Sequence, residues 1–294
     1  MIASVLAFIT VNLDPVALHI GSGVHWYGVM YVVAFVAGYR WGVLPHMRGR
    51  GATKEQCEAA VAWTIAAGLV GGRLYYVVQN DPLTYLQQPL RILAVWEGGM
   101  AFFGAILTGL GTVAFLARRW GVPLWSSLDA AAFFAVVGQP IGRIGNVING
   151  DILGSPSNLP WATAYANPNA VLQKGFDLCT TSHCVAYQPA GVYEAIGTIL
   201  IGLLLVWLRR RSVRPGVIVI SYVALYAVSQ FVIFFWRASE PPVWLGLKQA
   251  QVTGIVVLLV AVPLLILLWR RFPPAEPGAG PAPTRRRSAA AAVR

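Results

Sequence analysis

Seven stretches of this chain are long, apolar and almost free of charge. They lie at about residues 24–44, 59–79, 98–117, 126–142, 189–208, 216–236 and 251–269. A helix needs about 20 mainly apolar residues to cross a hydrocarbon core of roughly 30 Å. The pattern therefore predicts an all-α membrane protein with about seven transmembrane helices. The connections between the stretches alternate in charge. Those after the first, third, fifth and seventh carry His46 to Lys54, Arg118-Arg119, Arg209 to Arg214 and Arg270-Arg271, and the others carry few cations. Basic connections stay in the cytoplasm, which predicts an N-terminus outside, a C-terminus inside and a folded external loop after the fourth helix.

Composition agrees with this picture. Hydrophobic residues make up 57% of the chain and charged residues only 11%, against roughly 25% charged in a soluble domain. The net charge of +11 would suggest nucleic acid in a soluble protein. Here it follows the loops, so the expected surroundings are a lipid bilayer and no nucleic acid. The first 23 residues lack a basic start and are broken by Asp14-Pro15, unlike a cleavable leader. Residues 1–8 are expected along the outer interface.

The expected organisation is one polytopic membrane domain, 1–272, and a disordered cytoplasmic tail, 273–294, of Pro, Ala, Gly and Arg. Two external stretches, 80–97 and about 145–188, are too long for simple turns. In the second, Trp161, Tyr165 and Tyr187 suit the membrane interface. Cys179 and Cys184 share that loop, where they form either a disulfide or two free thiols. Two cysteines with His183 are too few ligands for a structural zinc site.

Ionisable groups at membrane depth are costly, about 2.5–3.5 kcal/mol each at a helix centre, and tend to face a cavity and have partners. Arg73, Arg143 and Arg237 each fall toward the outer end of an outward-running span, and Glu97, Asp129, Asp151 and Glu194 lie in or beside spans. Three arginines on one face would make an anion site, because the planar guanidinium gives paired, charge-assisted hydrogen bonds to phosphate. At the outer leaflet, the simplest such anion is a phospholipid head group. The run Gly142-Arg143-Ile144-Gly145-Asn146-Val147-Ile148-Asn149-Gly150-Asp151 reads as a ligand-binding loop, with glycines for close backbone approach and Asn146, Asn149 and Asp151 as polar partners.

With these motifs in hand, the chain resembles the bacterial prolipoprotein diacylglyceryl transferases. The resemblance runs over about residues 14–269. It is carried by Asp14-Pro15, His25 to Tyr31, Gly71-Gly72-Arg73, Trp96 to Met100, Gly142 to Asp151 with Gly154, Tyr193-Glu194, Tyr226, Arg237 and Gln251. It implies seven transmembrane helices in the bacterial cytoplasmic (inner) membrane, with phosphatidylglycerol and lipobox-containing precursor proteins as substrates. The implied reaction moves diacylglyceryl to the lipobox cysteine thiol at the outer face, without metal or organic cofactor. On this reading Arg143 binds the lipid phosphate with Arg73 or Arg237 in support. Asn146, Gly154, Glu97 and Glu194 complete the substrate site.

Several positions depart from the family pattern. Phe103 stands where the family has histidine, its natural thiol base. Gln230 replaces an arginine, Phe234 a glutamate, and Asp151 a longer glutamate. Gln188 and Ser155 also differ from the usual residues. His25 and Asp151 are the chemical substitutes for the base, with Tyr27 as a donor. A second reading stays open: a non-catalytic relative that binds phospholipid or lipoprotein precursors without transferring anything.

Overall fold

The structure is a computed structural model that describes residues 8–271 apart from Ser22, Asp81, Val95 to Glu97, Ser212 and Ser239. Each expected span contains a helix. They are α1 (Trp26–Ala37), which continues through a π-helical turn (Gly38–Val43) into α2 (Leu44–Met47), then α3 (Lys54–Gln79), α5 (Phe102–Trp120), α6 (Leu124–Asn149), α7 (Ala190–Arg210), α8 (Val217–Ile233) and α9 (Gln249–Arg271). Six are long and apolar enough to cross a membrane, counting Trp26–Met47 as one. The seventh, α8, is shorter at 17 residues, at the lower end of the roughly 17–25 that suffice. The expected tail, 273–294, and residues 1–7 lie outside the described residues.

The chain divides into two compact units, one ending at Val43 and resuming at Asp129, the other running from Leu44 to Leu128. In the first unit, α1 packs against α6 through glycines. A Cβ on Gly42 would stand 2.6 Å from the Phe133 carbonyl oxygen, and one on Gly145 would stand 3.1 Å from Tyr27 Cα. Small residues at such contacts let helix backbones approach closely, which is how membrane helices gain packing energy. Phe133 and Val136 of α6 meet Ile201 and Leu205 of α7 and Ile218 of α8 in one buried cluster. Ile220 and Ala224 of α8 pack on Ala261 of α9. Asp129 is buried and structural: its carboxylate accepts from Gly216 N and Val219 N, both at 2.8 Å, at the start of α8. Those backbone donors have no partner within their own helix, and a carboxylate there also complements the helix dipole.

The fourth span exceeds its expected length. The run from Gly142 to Asn149 is the last two turns of α6 rather than a loop, and Gly150, at φ +83°, ends the helix. Glycine and asparagine predict a loop in water. At membrane depth, helical hydrogen bonding keeps the backbone satisfied despite them.

Beyond α6 the chain forms a small cap. Strand β1 (Ile9–Val11) pairs in parallel with β2 (Thr163–Tyr165), and Cys179 and Cys184 are joined as a disulfide. The interfacial role expected for Tyr165 and Tyr187 is not what they do: both are buried in the core of the cap. The Tyr165 hydroxyl donates to Val147 O at 2.7 Å, and the Tyr187 hydroxyl accepts from Asp177 N at 2.9 Å. Of the three expected aromatics, Trp161 is exposed.

In the second unit α3 lies on α5. Thr108 Oγ1 donates to Ala67 O across the pair at 2.8 Å, and the Gly104 backbone meets Gly71. Between them, after α3, come α4 (Pro82–Gln87) and a 3₁₀ turn (Pro89–Leu93).

Candidate active site

Four helices of the first unit bring their polar residues together. Glu194, on the first turns of α7, is 1% exposed and lies between two guanidinium groups. Arg143 Nη2 pairs with its Oε2, and Arg237 Nη1 with its Oε1 at 3.1 Å. A carboxylate engaged on both oxygens fixes the two guanidiniums in a shared orientation, and charge-assisted bonds of this kind are the strong ones. Glu194 cannot itself receive a phosphate oxygen, so its part in the arrangement is to hold the arginines.

From Arg143 the network runs to Asp151. Arg143 Nη1 donates to Asn146 Oδ1 at 3.2 Å, and Asn146 Nδ2 donates to Asp151 Oδ1 at 3.0 Å and Oδ2 at 3.3 Å. One helical turn separates Arg143 from Asn146, so both side chains leave the same face of α6. Burial pushes the Asp151 carboxyl above the usual carboxylate range, against the lowering effect of the Asn146 and Asn149 hydrogen bonds. Tyr27 of α1 lies within electrostatic range of Asp151 and Arg143, and its hydroxyl bonds that of Tyr31 at 2.9 Å. The Tyr226 hydroxyl of α8 faces the Arg143 guanidinium.

Gly154 and Arg237 meet through backbone. They form an antiparallel bridge, Gly154 N donates to Gln188 O at 2.8 Å, and a Cβ on Gly154 would stand 2.7 Å from Trp236 O. Only glycine leaves room for that approach. Lys248, in the short strand β3 (Leu247–Lys248), donates through Nζ to Phe234 O at 2.8 Å and to Arg237 O. Burial lowers the Lys248 ammonium from its ordinary value.

The structure thus gathers Arg143, Arg237, Asn146, Asp151, Gly154, Glu194 and Tyr27. It does not add the other expected residues to this cluster. His25 is exposed at the start of α1 with no capping hydrogen bond. Arg73 belongs to the second unit, and its guanidinium bonds carbonyl oxygens of that unit. Glu97 lies outside the described residues. Tyr31 lies at the end of the His25 to Tyr31 stretch but was given no role, and Lys248, a cation directly before an apolar span, was not singled out from the sequence.

The substituted positions take consistent forms. Phe234 is buried, with its ring centre 5.2 Å from the Arg237 guanidinium carbon, an aromatic face at the position where the resemblance implies a glutamate. Gln230 Nε2 is buried and has no hydrogen-bond partner among the described residues. Phe103 sits half exposed in the first turn of α5, edge-on to Phe102.

The chain is a polytopic helical membrane protein with two arginines braced on one buried carboxylate. The comparisons with known proteins name the class. The chain belongs to the prolipoprotein diacylglyceryl transferase family, whose pattern matches residues 15–267. It is similar to proteins named phosphatidylglycerol–prolipoprotein diacylglyceryl transferase. The one from Bordetella avium is 32% identical, over 88% of this chain and 96% of the relative. That from Brucella anthropi is 34% identical over 91% and 93%. That from Solidesulfovibrio magneticus is 32% identical over 90% and 97%.

Proposed function

We propose that this chain is a diacylglyceryl transferase that takes its group from phosphatidylglycerol and passes it to the thiol of a lipobox cysteine in a precursor protein. The observation that carries this reading is the pair of arginines, Arg143 and Arg237, held on Glu194 beside Asp151. In the reaction the thiol sulfur attacks the glyceryl carbon bonded to the phosphate oxygen. A carbon–sulfur bond forms, the carbon–oxygen bond breaks, and glycerol phosphate leaves with the electron pair. Charge builds on the leaving phosphate. Fixed cations aimed at that charge supply the largest share of catalysis in such sites, and Arg143 and Arg237 take this role. The thiol proton passes to the Asp151 carboxylate, whose raised pKa makes it a stronger base than an ordinary aspartate. Asn146 holds that carboxylate in place, and Gly154 lets the backbone carrying Arg237 close on the cap.

Purified protein, phosphatidylglycerol vesicles and a lipobox peptide should yield a peptide whose mass has increased by one diacylglyceryl group. The second reading, a binding protein without chemistry, has support in Phe103, an apolar residue at the position of the family histidine. Lipid retained by the protein with no modified peptide would establish it in place of transfer.

The reading places the site at the outer face of the bacterial cytoplasmic membrane. A reporter fused after Arg211 should then read cytoplasmic, and one beside Lys174 external. The reverse pair of signals would overturn the orientation.

A further inference from the structure

Arg237 stands beyond a helix end rather than on a helix. Helix α8 ends at Ile233, and Phe234 to Trp236 form a turn that delivers Arg237 to the cluster. The N–H groups of Phe235 and Trp236 bond Val232 O and Ile233 O, each three residues back. Phe231 O thereby loses the donor that a continued helix would give it. Carbonyls left open here find donors elsewhere in the first unit. Gln251 Nε2 donates to Phe231 O at 3.1 Å, and Ser155 N donates to Trp236 O at 2.7 Å. Lys248 Nζ by itself serves two of them, Phe234 O at 2.8 Å and Arg237 O. The main chain of Lys248 is fixed in turn, since its N–H donates to Gln251 Oε1 at 2.9 Å and Gln251 is 2% exposed. An ammonium at this end of α8 also meets the negative end of the helix dipole.

The side chain of Arg237 is held lightly by comparison. Among the described residues its guanidinium donates to one oxygen, Glu194 Oε1 at 3.1 Å, and its Nε is buried without a hydrogen-bond partner. Arg143, in contrast, bonds both Glu194 and Asn146. The aim of Arg237 therefore depends on where its main chain is set. Lys248 joins the end of α8 to the Arg237 carbonyl and sets that position from one side, while Gly154 and Ser155 set it from the cap. From these contacts we infer that Lys248 is a positioning residue for the proposed transfer. It touches none of the reacting atoms. It holds residues 234–237 so that Arg237 faces both Glu194 and the lipid phosphate. The inference rests on the proposed function for the identity of that anion. A lysine suits the task because its compact ammonium offers three donors, enough for two carbonyls that converge on one point.

The test is a double-mutant cycle on the full chain. Lys248→Met keeps the length of the side chain and removes its donors. It should lower the initial rate with phosphatidylglycerol and a lipobox peptide by about 10–10²-fold, since a misplacement of about 1 Å can cost 10²-fold. In an Arg237→Gln background the same change should cost less than about twofold, because residues that act through one group do not add. A full second loss in the double variant would overturn the inference, since Lys248 would then act by itself or through the fold at large. A Lys248→Met rate within about twofold of the parent, the scatter expected of an idle site, would overturn it directly. Every member of the cycle is also titrated with a short-chain fluorescent phosphatidylglycerol, and affinity should follow the same pattern. If the parent binds this lipid but modifies no peptide, the transfer reading fails and the affinity cycle decides for or against Lys248. If the parent neither binds nor modifies, Arg237 has no such anion to face and the inference falls with the reading. If Lys248→Met does not fold, Lys248→Gln takes its place, keeping an amide donor for one of the two carbonyls. Its loss should again disappear in the Arg237→Gln background, and a loss that persists there would overturn the inference.

Discussion

Arg143→Ala should lower the transfer rate by at least about 10²-fold while the protein stays folded, whereas Glu194→Ala should lose both activity and stability. The difference follows from how the charges are shared. Glu194 is almost wholly buried and serves two cations, with Arg143 the more exposed of the pair at 23% against 12% for Arg237. Removing Arg143 leaves Glu194 neutralised by Arg237, and the remaining carboxylate, Asp151, keeps its hydrogen bonds from Asn146. What disappears is the guanidinium best placed to meet a lipid phosphate, and loss of one such donor costs roughly 10²–10³ in rate. Removing Glu194 leaves two guanidiniums facing each other without a counter-charge. Breaking a buried pair in this way costs about 3–5 kcal/mol, a large part of the roughly 5–15 kcal/mol that holds a typical domain together. Arg143→Lys should fall between, since an ammonium supplies charge without the planar fork. Initial rates with a lipobox peptide, set beside thermal unfolding in the same detergent, check all three. Equal activity in Arg143→Ala and the unchanged chain would take the arginine out of the reaction.

The residues that were legible in the sequence are those whose meaning is local. Runs of apolar residues located every span, because crossing a bilayer is a demand on a single continuous segment. Arg143, Asn146 and Asp151 were legible as a group because they are close in the chain and leave one helix end together. Arg73 was readable as a buried cation but not as a clamp. Its partners are main-chain carbonyls at Arg91, Ile92, Gly98 and Gly99, and carbonyls leave no trace in side-chain pattern. Tyr165 and Tyr187 were misjudged for a related reason. An aromatic residue near a span suits either the interface or a packed cap, and only the pairing of β1 with β2, more than 150 residues apart, decides between them. The helical form of Gly142 to Asn149 depended on its apolar surroundings, which local propensity does not contain.

Phe103, Gln230 and Phe234 bear on whether the cluster can still work. With Phe234 an aromatic ring and Gln230 an amide, the charged members left in the first unit's cluster are Arg143, Arg237, Glu194 and Asp151. Among the side chains bonded to one another, two cations face two carboxylates before substrate arrives, with the Lys248 ammonium beside them on the Phe234 and Arg237 carbonyls. Had the acid alone been lost, or the cation alone, a buried charge would have been left without a partner, at a cost of several kcal/mol. The pair of changes keeps the balance, and the stacking of Phe234 on Arg237 adds a cation–π contact worth about 0.5–2 kcal/mol. On the proposed reading, a site altered in this way keeps the two arginines that would meet the phosphate. The function most exposed by the changes is proton removal, since Phe103 can accept nothing.

That places the weight on Asp151, and Asp151→Asn is expected to reduce transfer by about 10²–10⁴-fold, the usual worth of general base help. The pH dependence identifies the base. Only the ionised carboxylate accepts the thiol proton, so the rate of the unchanged chain should rise with pH through the Asp151 pKa, which burial holds above the ordinary 3.8. In Asp151→Asn that acid limb should vanish along with most of the rate. The stability argument has the opposite sign. A carboxyl whose folded pKa is raised favours the folded state fully below its unfolded pKa, and this contribution is lost as pH rises through the folded value. Asparagine imitates the protonated form, so the variant should be no less stable than the parent at neutral pH, and lost activity cannot then be put down to unfolding. Asp151→Glu restores a carboxylate on a longer stem and should recover part of the rate and the limb with it. If Asp151→Asn instead retains its rate and His25→Ala loses it, the base is His25, standing exposed at the start of α1, and Asp151 serves only to hold Asn146.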